Sequence, residues 1–179
     1  MNLHQLQVTY QPEEDRILFR LSFKDGDAPL QEVRTWLTRR LLKNLWPGIL
    51  KSFRMQVTLD QPLAAHASDE IVRMEHQASL TAISARGDFD TSFETGTDAF
   101  PHGDTPVIIT SVNIELGANR PAIVTFTASE TMNFEVSFLK TEFHGFFMLL
   151  QNCIKRAEWD IGPLMAEAED LDMQPRVLN

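Results

Sequence analysis

The basic residues between positions 33 and 59 are the part of this sequence best suited to bind another molecule. The region contains six Lys or Arg residues and no Asp or Glu. Guanidinium groups bind carboxylates and phosphates through paired N–H donors, and an indole ring can stack on a nucleobase. The candidate anion-binding or partner-binding residues are the cations and indoles of this region's first part: Arg34, Trp36, Arg39, Arg40, Lys43 and Trp46.

The same cations could instead be ion-paired within the fold or between two copies. Residues 88–135 contain eight acidic residues and a single basic one, Arg120. Cations in the first turn of a helix oppose its dipole by about 0.3–1 kcal/mol each when they are exposed. We therefore expect Arg39 and Arg40 to pair with carboxylates of residues 88–135, and the anion site is the alternative interpretation.

Carboxylates and histidines give little support for a metal site or a catalytic centre. Asp88, Asp90 and Glu94 would share one face of a strand, but side chains two residues apart on a strand are about 7 Å apart, too far to ligate one ion together. The five histidines lack the spacing of metal ligands. The HGD sequence at 102–104 fits a turn, and His144 fits a packing residue. We expect no catalytic residue, no metal and no cofactor.

Composition is that of a folded globular protein. Hydrophobic residues make up 43% of the chain and charged residues 23%, with a net charge of −9. The N-terminus lacks a basic region followed by an apolar run, and no segment approaches the roughly 18 apolar residues of a membrane span. We therefore expect a cytoplasmic location. Cys153 lies in an apolar run and is expected to be a buried packing thiol.

Alternating apolar residues predict an antiparallel meander at the start of the chain. LHQLQVTY and RILFRLSF alternate with a period of two, LQEVRTW follows as a third strand, and turn residues separate them. From Leu37 the spacing changes to three or four residues, which predicts a helix capped by Thr38. Pro47 and Gly48 predict a kink or a break in it. The predicted core face of this helix is Leu37, Leu41, Leu45, Ile49 and Phe53, with Leu42, Trp46 and Leu50 beside it.

The second half repeats this order of elements. A weak helix is predicted over 63–86, with a start signal at Ser68 and a thin apolar face of Ile71, Met74 and Ala78. The predicted strands of a second meander are DFDTSFET, PVIITSVNIEL, AIVTFTA and NFEVSFL. A final helix, capped by Thr141, carries Phe143, Phe147, Leu150 and Ile154 at helical spacing.

These elements predict an α+β fold in which an antiparallel β-meander is followed by a helix, with the helices packed on the sheet. The unit occurs twice, so duplication is one hypothesis and ordinary α+β packing is the other. We expect one domain over 1–162, whose halves 1–60 and 87–162 are joined by a weakly helical connector, 61–86. Residues 163–179 form an acidic tail, for which disorder is one interpretation.

Two classes of binding function follow from this layout. Strands followed by a helix, used twice, resemble the element order of the Whirly single-strand-binding folds. That resemblance implies single-stranded nucleic-acid binding through the basic helix at 34–54, which the net negative charge disfavours. The first prediction is therefore a non-catalytic binding or assembly module with a protein partner or a second copy of itself. Nucleic-acid or other anion binding is the alternative, and an enzyme of unidentified class is the second alternative.

Overall fold

The computed structural model describes residues 2–86, 92–94, 99–165 and 177–178. It confirms the α+β fold and the order of a meander followed by a helix. The first part of the chain forms β1 (Asn2–Gln11), β2 (Arg16–Lys24), β3 (Gln31–Thr38), α1 (Arg39–Asp60), a 3-10 helix (Pro62–Ala67) and α2 (Ser68–Arg86). The second part forms β4 (Val107–Ile108), β5 (Ser111–Glu115), β6 (Ala122–Ser129), β7 (Met132–Phe138), α3 (Lys140–Arg156) and β8 (Val177–Leu178).

The strands form two sheets. The first has the order β4–β3–β2–β1–β8, and its strands are antiparallel except that β4 runs parallel to β3. The second has the order β5–β6–β7 and is antiparallel throughout. The chain passes from one sheet to the other between β4 and β5, where Ile109 donates its N–H to Trp36 of β3 and Thr110 donates to Thr127 of β6.

The core lies between the two sheets and is filled by α3. This helix is buried on almost every side, because aromatic and aliphatic side chains occupy nearly its whole circumference. Phe19 of β2 lies 5.3 Å from Phe126 of β6 and 5.1 Å from Phe146 of α3, measured between ring centroids. One hydrophobic cluster therefore joins both meanders through the last helix.

Helix α1 begins as predicted but continues further and turns a different face to the core. The Thr38 hydroxyl accepts a hydrogen bond from the N–H of Leu41 at 3.2 Å, which confirms the predicted cap. A single helix spans residues 39–60, so Pro47 does not divide it. The buried positions are Leu42, Trp46, Ile49, Ser52, Phe53 and Val57. The predicted core positions Leu41 and Leu45 are only half-buried, so that part of the prediction was wrong.

Helix α2 begins at Ser68 as predicted, but its predicted apolar face was also wrong. Met74 is 72% exposed and Ala78 is exposed. The side that packs inward carries two polar residues as well as aliphatic ones: Val72, His76, Ser79, Leu80 and Ile83. The hydrophobic pattern pointed to the wrong face because a buried histidine and a buried serine hide the helical period.

Helix α3 begins differently from the prediction. Its N-cap is Leu139 rather than Thr141, and the Glu142 carboxylate accepts a hydrogen bond from the N–H of Leu139 at 2.7 Å. A carboxylate in the first turn thus satisfies a terminal N–H that has no partner within the helix.

Two further predictions concern particular segments. The strand predicted over 88–95 lies outside the described residues except for 92–94, which are not part of a strand. In the described part of the chain, no helix combines the length and the hydropathy needed to cross a membrane.

Candidate binding groove

Arg34 lies on the outer face of the first sheet, where it is paired with a buried carboxylate. Its Nε donates to Glu32 Oε1 at 2.7 Å, and Arg20 Nε donates to the same oxygen at 2.7 Å. Burial alone would raise the pKa of Glu32, but the hydrogen bonds and charges of Arg34 and Arg20 hold it below its usual range. Arg34 also lies 4.7 Å from the ring centroid of Phe100. These contacts give Arg34 a structural role on this face.

The two tryptophans of the predicted site are separated by the sheet. Trp36 is half-buried on the outer face, paired with Leu18 of β2 and Ile108 of β4. Trp46 is 1% exposed, stacks on Phe147 at 4.8 Å and donates its Nε1–H to the carbonyl of Pro163 at 2.9 Å. Because its ring is enclosed in the core, Trp46 cannot serve as a stacking surface for a ligand.

The cations at the start of α1 are exposed and are not used as expected. Arg39, Arg40 and Lys43 form no ion pair with any described residue, so the expected pairing with residues 88–135 is not seen there. Arg39 has one weaker effect: its charge adds to the hydrogen bonds from Trp159 and Tyr10 that chiefly lower the pKa of Asp15. These side chains remain available to a partner as far as the described chain is concerned.

A groove of about 290 Å³ runs between α1 and β5. Its lining comes from one side of the helix and one side of the strand: Leu45, Gly48, Lys51, Ser52, Met55, Val112, Ile114 and Leu116. Lys51 is the charged residue of this set. The groove is therefore apolar with a cation at its margin, which is the composition expected of a site for an apolar segment with polar or acidic neighbours.

The strand side of the groove is an unprotected sheet edge. β5 pairs only with β6 among the described residues and so lies at the edge of its sheet. Val112, Ile114 and Leu116 are half-buried and line the groove, whereas Asn113 and Glu115 are exposed. Edge strands in monomeric proteins are commonly protected by charged residues, Pro, a bulge or a short length. β5 has five residues and one charge, Glu115, and contains no Lys, Pro or bulge. Its outer backbone groups can therefore pair with an added strand.

The helix side of the groove combines Gly48 with an exposed Met55. Gly48 is in the interior of α1, and a Cβ added to it would meet no atom within 4 Å. Glycine destabilises a helix interior by about 1 kcal/mol relative to alanine, so packing gives no reason for glycine here. Because this position has no side chain, another backbone can approach the surface of the helix closely here. Met55 is 44% exposed beside it and can adapt to an incoming side chain.

Basic side chains border this groove along the exposed side of α1. Lys51 lines the groove, Arg40 lies three turns before it on the same helical face, and Lys43 lies two turns before it but about 80° around the helix. All three are exposed, and none is ion-paired to a described residue. Arg54, the next cation on this face, is paired with Asp69 at 2.7 Å. Three uncompensated cations therefore form a ridge beside the groove, named here the basic ridge (Arg40, Lys43 and Lys51).

A second polar cluster joins the end of α1 and the start of α3 to the middle of α2. Lys140 Nζ donates to Asp60 Oδ2 at 3.0 Å and to Glu75 Oε1 at 2.9 Å. The other Asp60 oxygen accepts hydrogen bonds from Gln56 Nε2 and from the N–H of Asn119. Each charged group has its partners within the fold, so this cluster fastens α1, α2 and α3 to the turn before β6.

Two buried histidines lie next to that cluster. The Nδ1 atoms of His76 and His144 are 3.2 Å apart, and the His144 ring stacks on Phe53 at 4.4 Å. Burial lowers the pKa of His144 to about 3, with smaller contributions from His76 and Lys140. A histidine that stays neutral throughout the physiological range is a packing residue, as the sequence predicted for His144.

Cys153 is 5% exposed and lies in the hydrophobic core. Burial raises the pKa of the Cys153 thiol to about 12, and its Sγ lies 3.5 Å from the Val8 carbonyl oxygen. This confirms the predicted packing thiol. Among the described residues, no group of three His, Cys, Asp or Glu side chains is arranged to hold a metal ion.

Comparisons with protein-family models, with curated proteins and with solved structures gave no match.

Sequence reasoning found the cations beside the groove but missed the groove itself. It placed Arg40 and Lys43 on the helix that borders the groove, expected them to be ion-paired, and grouped them with Trp46, whose ring is enclosed in the core. The missed residues are Gly48, Met55 and the alternating Val112, Ile114 and Leu116. Alternation marked the latter as a strand, but only the structure shows that this strand is an edge and that α1 runs beside it.

Proposed function

We propose that this protein is a non-catalytic binding module that takes an extended segment of a protein partner into the groove between α1 and β5. The segment adds to β5 as a further strand, and its alternate side chains enter the groove. Main-chain hydrogen bonds supply affinity in this mode of recognition, and the pockets for alternate side chains supply specificity.

The observation that carries this proposal is the combination of an unblocked edge strand with an apolar groove on one side of it. Either feature alone is common. Together they provide unpaired backbone hydrogen-bonding groups and an apolar surface for side chains at the same place. Gly48 supports the proposal because it keeps the groove open at a cost to the helix.

The alternative of single-stranded nucleic-acid binding has less support. The exposed cations of α1 could still contact phosphates, but the Trp46 ring is enclosed in the core and Arg34 is hydrogen-bonded to Glu32. Stacking on aromatic side chains contributes much of the affinity in such sites. Self-association and a cytoplasmic location stay predictions.

A direct test uses labelled peptides of about ten residues, the upper end of usual strand length. Valines occupy three alternate positions, the two flanking positions on the same side of the strand are both glutamate, both serine or both lysine, and serine fills the other side. Fluorescence anisotropy measures their binding to the wild-type protein and to Gly48→Trp, which fills the groove. A matched control is Met74→Trp, on the exposed side of α2. We expect binding that Gly48→Trp abolishes and Met74→Trp leaves unchanged. Absence of binding by all three peptides, or binding that survives Gly48→Trp, would contradict the proposal.

A further inference from the structure

The basic ridge beside the groove indicates what kind of segment the groove accepts. Lys51 is both a lining residue of the groove and a member of the ridge. Lys43 and Arg40 continue the ridge toward the start of α1, so a segment lying along β5 would pass three positive charges that have no described ion-pair partner. Charges placed around a binding surface select partners of opposite sign and raise the rate of association.

We infer that the partner segment is acidic: an extended peptide with apolar residues at alternate positions and carboxylates that flank them on the same side of the strand. This inference rests on the proposed function of the groove. The apolar side chains would contact Val112, Ile114 and Met55, as any strand added to β5 would. Carboxylates on the same side of the segment, before or after these apolar residues, would face α1 within reach of the flexible side chains of the basic ridge.

The surroundings of the cations at the start of α1 fit ligand binding better than a role in stabilising the fold. Arg39 and Arg40 occupy the first turn of α1, where no acidic residue compensates the helix dipole. Structural cations of this protein show a different pattern, because Arg20, Arg34, Arg54 and Lys140 all have carboxylate partners within 3.0 Å. The hydrogen bond from Trp159 chiefly lowers the pKa of Asp15, and Arg39 lies near enough to add to this effect. Arg40, Lys43 and Lys51, however, are exposed beside an open apolar groove and form no ion pair with a described residue, which matches an acidic ligand.

A second copy of this chain fits the site less well. If two β5 strands paired about a two-fold axis, α1 of each copy would flank the same junction. The two basic ridges would then oppose each other, and like charges across an interface are unfavourable. β5 itself offers one carboxylate, Glu115, to set against the three cations of the ridge. We therefore assign the site to an acidic segment of a different protein.

The experiment compares the three peptides of matched valine content. The valine–glutamate peptide should bind at least tenfold more tightly than the valine–serine peptide at low salt, and the valine–lysine peptide should bind most weakly. The advantage of the glutamate peptide should shrink as NaCl rises from about 0.05 M to 0.5 M, since salt screens exposed charges. The affinity of the serine peptide should change little over the same range.

A charge-matched pair of variants locates the effect. Arg40→Gln with Lys51→Gln should weaken binding of the glutamate peptide about fivefold to tenfold and leave the serine peptide unchanged. The control removes two cations elsewhere, by Lys24→Gln with Arg73→Gln, and should change neither affinity.

The outcomes separate this inference from the proposed function. Equal binding of glutamate and serine peptides, both blocked by Gly48→Trp, would overturn the acidic preference and leave the groove in place. Equal loss of affinity in both double variants would assign the preference to overall charge and would also overturn it. If no peptide binds, both the groove and its acidic preference are overturned.

Discussion

The buried carboxylate of Glu32 decides how two arginines of the first sheet are used. Its side chain is fully buried, and it accepts hydrogen bonds from Arg20 and Arg34 on two neighbouring strands. Sequence alone could not show this, because the arginines alternate with apolar residues as any solvated strand face would. Arg20 and Arg34 lie opposite each other on adjacent strands. Their positive charges would repel each other without the carboxylate between them.

Replacing Glu32 by alanine should therefore lower the free energy of unfolding by about 3–5 kcal/mol, because it leaves two partly buried guanidinium groups without their acceptor. Urea unfolding followed by circular dichroism measures the change. The control is Glu14→Ala, since Glu14 forms only a surface pair with Arg16 at 3.8 Å and should cost less than about 1 kcal/mol. A loss for Glu32→Ala no larger than that of the control would show that the pairing is not important for stability.

His144 makes stability depend on pH in a window above that of the carboxylates. Its folded pKa is lowered to about 3 from an ordinary 6.5, so the unfolded chain binds a proton first as the pH falls. The stability it contributes is complete above about pH 6.5 and is lost as the pH falls toward 3. Between pH 6.5 and 5 this single group should cost about 1.6 kcal/mol.

The measurement is the unfolding free energy at several pH values between about 5 and 7.5, for the wild type, His144→Phe and His66→Gln. His144→Phe should lower stability at neutral pH, because His76 loses its hydrogen-bond partner, but should flatten the loss on acidification. His66 is exposed, so His66→Gln should follow the wild type. An unchanged acid slope in His144→Phe would show that another group controls the window.

At the scale of elements, α1 is a long helix that carries two features unfavourable to helices on its exposed side. Gly48 weakens its interior, and Arg39 and Arg40 oppose its dipole at the first turn. Packing of the buried face, from Leu42 to Val57, compensates for both. Such features are retained where a surface has another use, which is the interpretation given to the groove and the basic ridge.

Gly48→Ala should raise the free energy of unfolding by about 0.5–1 kcal/mol, because alanine favours the helix and its Cβ meets open space. Thermal unfolding monitored by circular dichroism is a sufficient test. Gly26→Ala is the contrasting variant: Gly26 has a φ of +55°, so a side chain there is strained and stability should fall. Destabilisation by Gly48→Ala would mean that the helix requires glycine for its own geometry.

Arg39→Gln with Arg40→Gln should leave stability equal to the wild type or raise it by up to about 1 kcal/mol. The sequence had favoured a loss, through ion pairs with residues 88–135, but the described carboxylates of that segment do not pair with these arginines. The melting temperature of the double variant, measured at low and high salt, distinguishes the two. A clear drop that salt abolishes would restore the ion-pair interpretation.

The elements themselves were largely predictable, and their faces were not. Alternation located β1, β2, β6 and β7, and Thr38 was recognised as a cap because a hydroxyl precedes a run of helical spacing. The predicted face of α1 was right at Ile49 and Phe53 and wrong at Leu41 and Leu45, which are half-buried. The predicted face of α2 failed because His76 and Ser79 are buried, and a face with polar members looks exposed in sequence. Which helix packs on which strand depends on contacts distant in sequence, and no local pattern records them.

At the scale of the whole molecule, two meanders enclose one central helix, and α1 runs beside the edge of the second sheet. This arrangement creates the groove, because residues of both α1 and β5 line it. The basic ridge, which holds three of the six cations that stood out in the sequence, borders it and is set apart from the enclosed Trp46. A protein built in this way can recognise a partner without any catalytic group, through backbone pairing, an apolar seat and a charged margin.

Amide hydrogen exchange of β5, followed by NMR with and without saturating valine–glutamate peptide, tests strand addition most directly. If the peptide pairs with the edge, alternate amides of Ser111–Glu115 should become protected, and resonances of α1 around Gly48 should shift. The same experiment on Gly48→Trp should show neither effect. Unchanged exchange in β5, with peptide-induced shifts confined to the outer face of the first sheet or to the first turn of α1, would contradict the account.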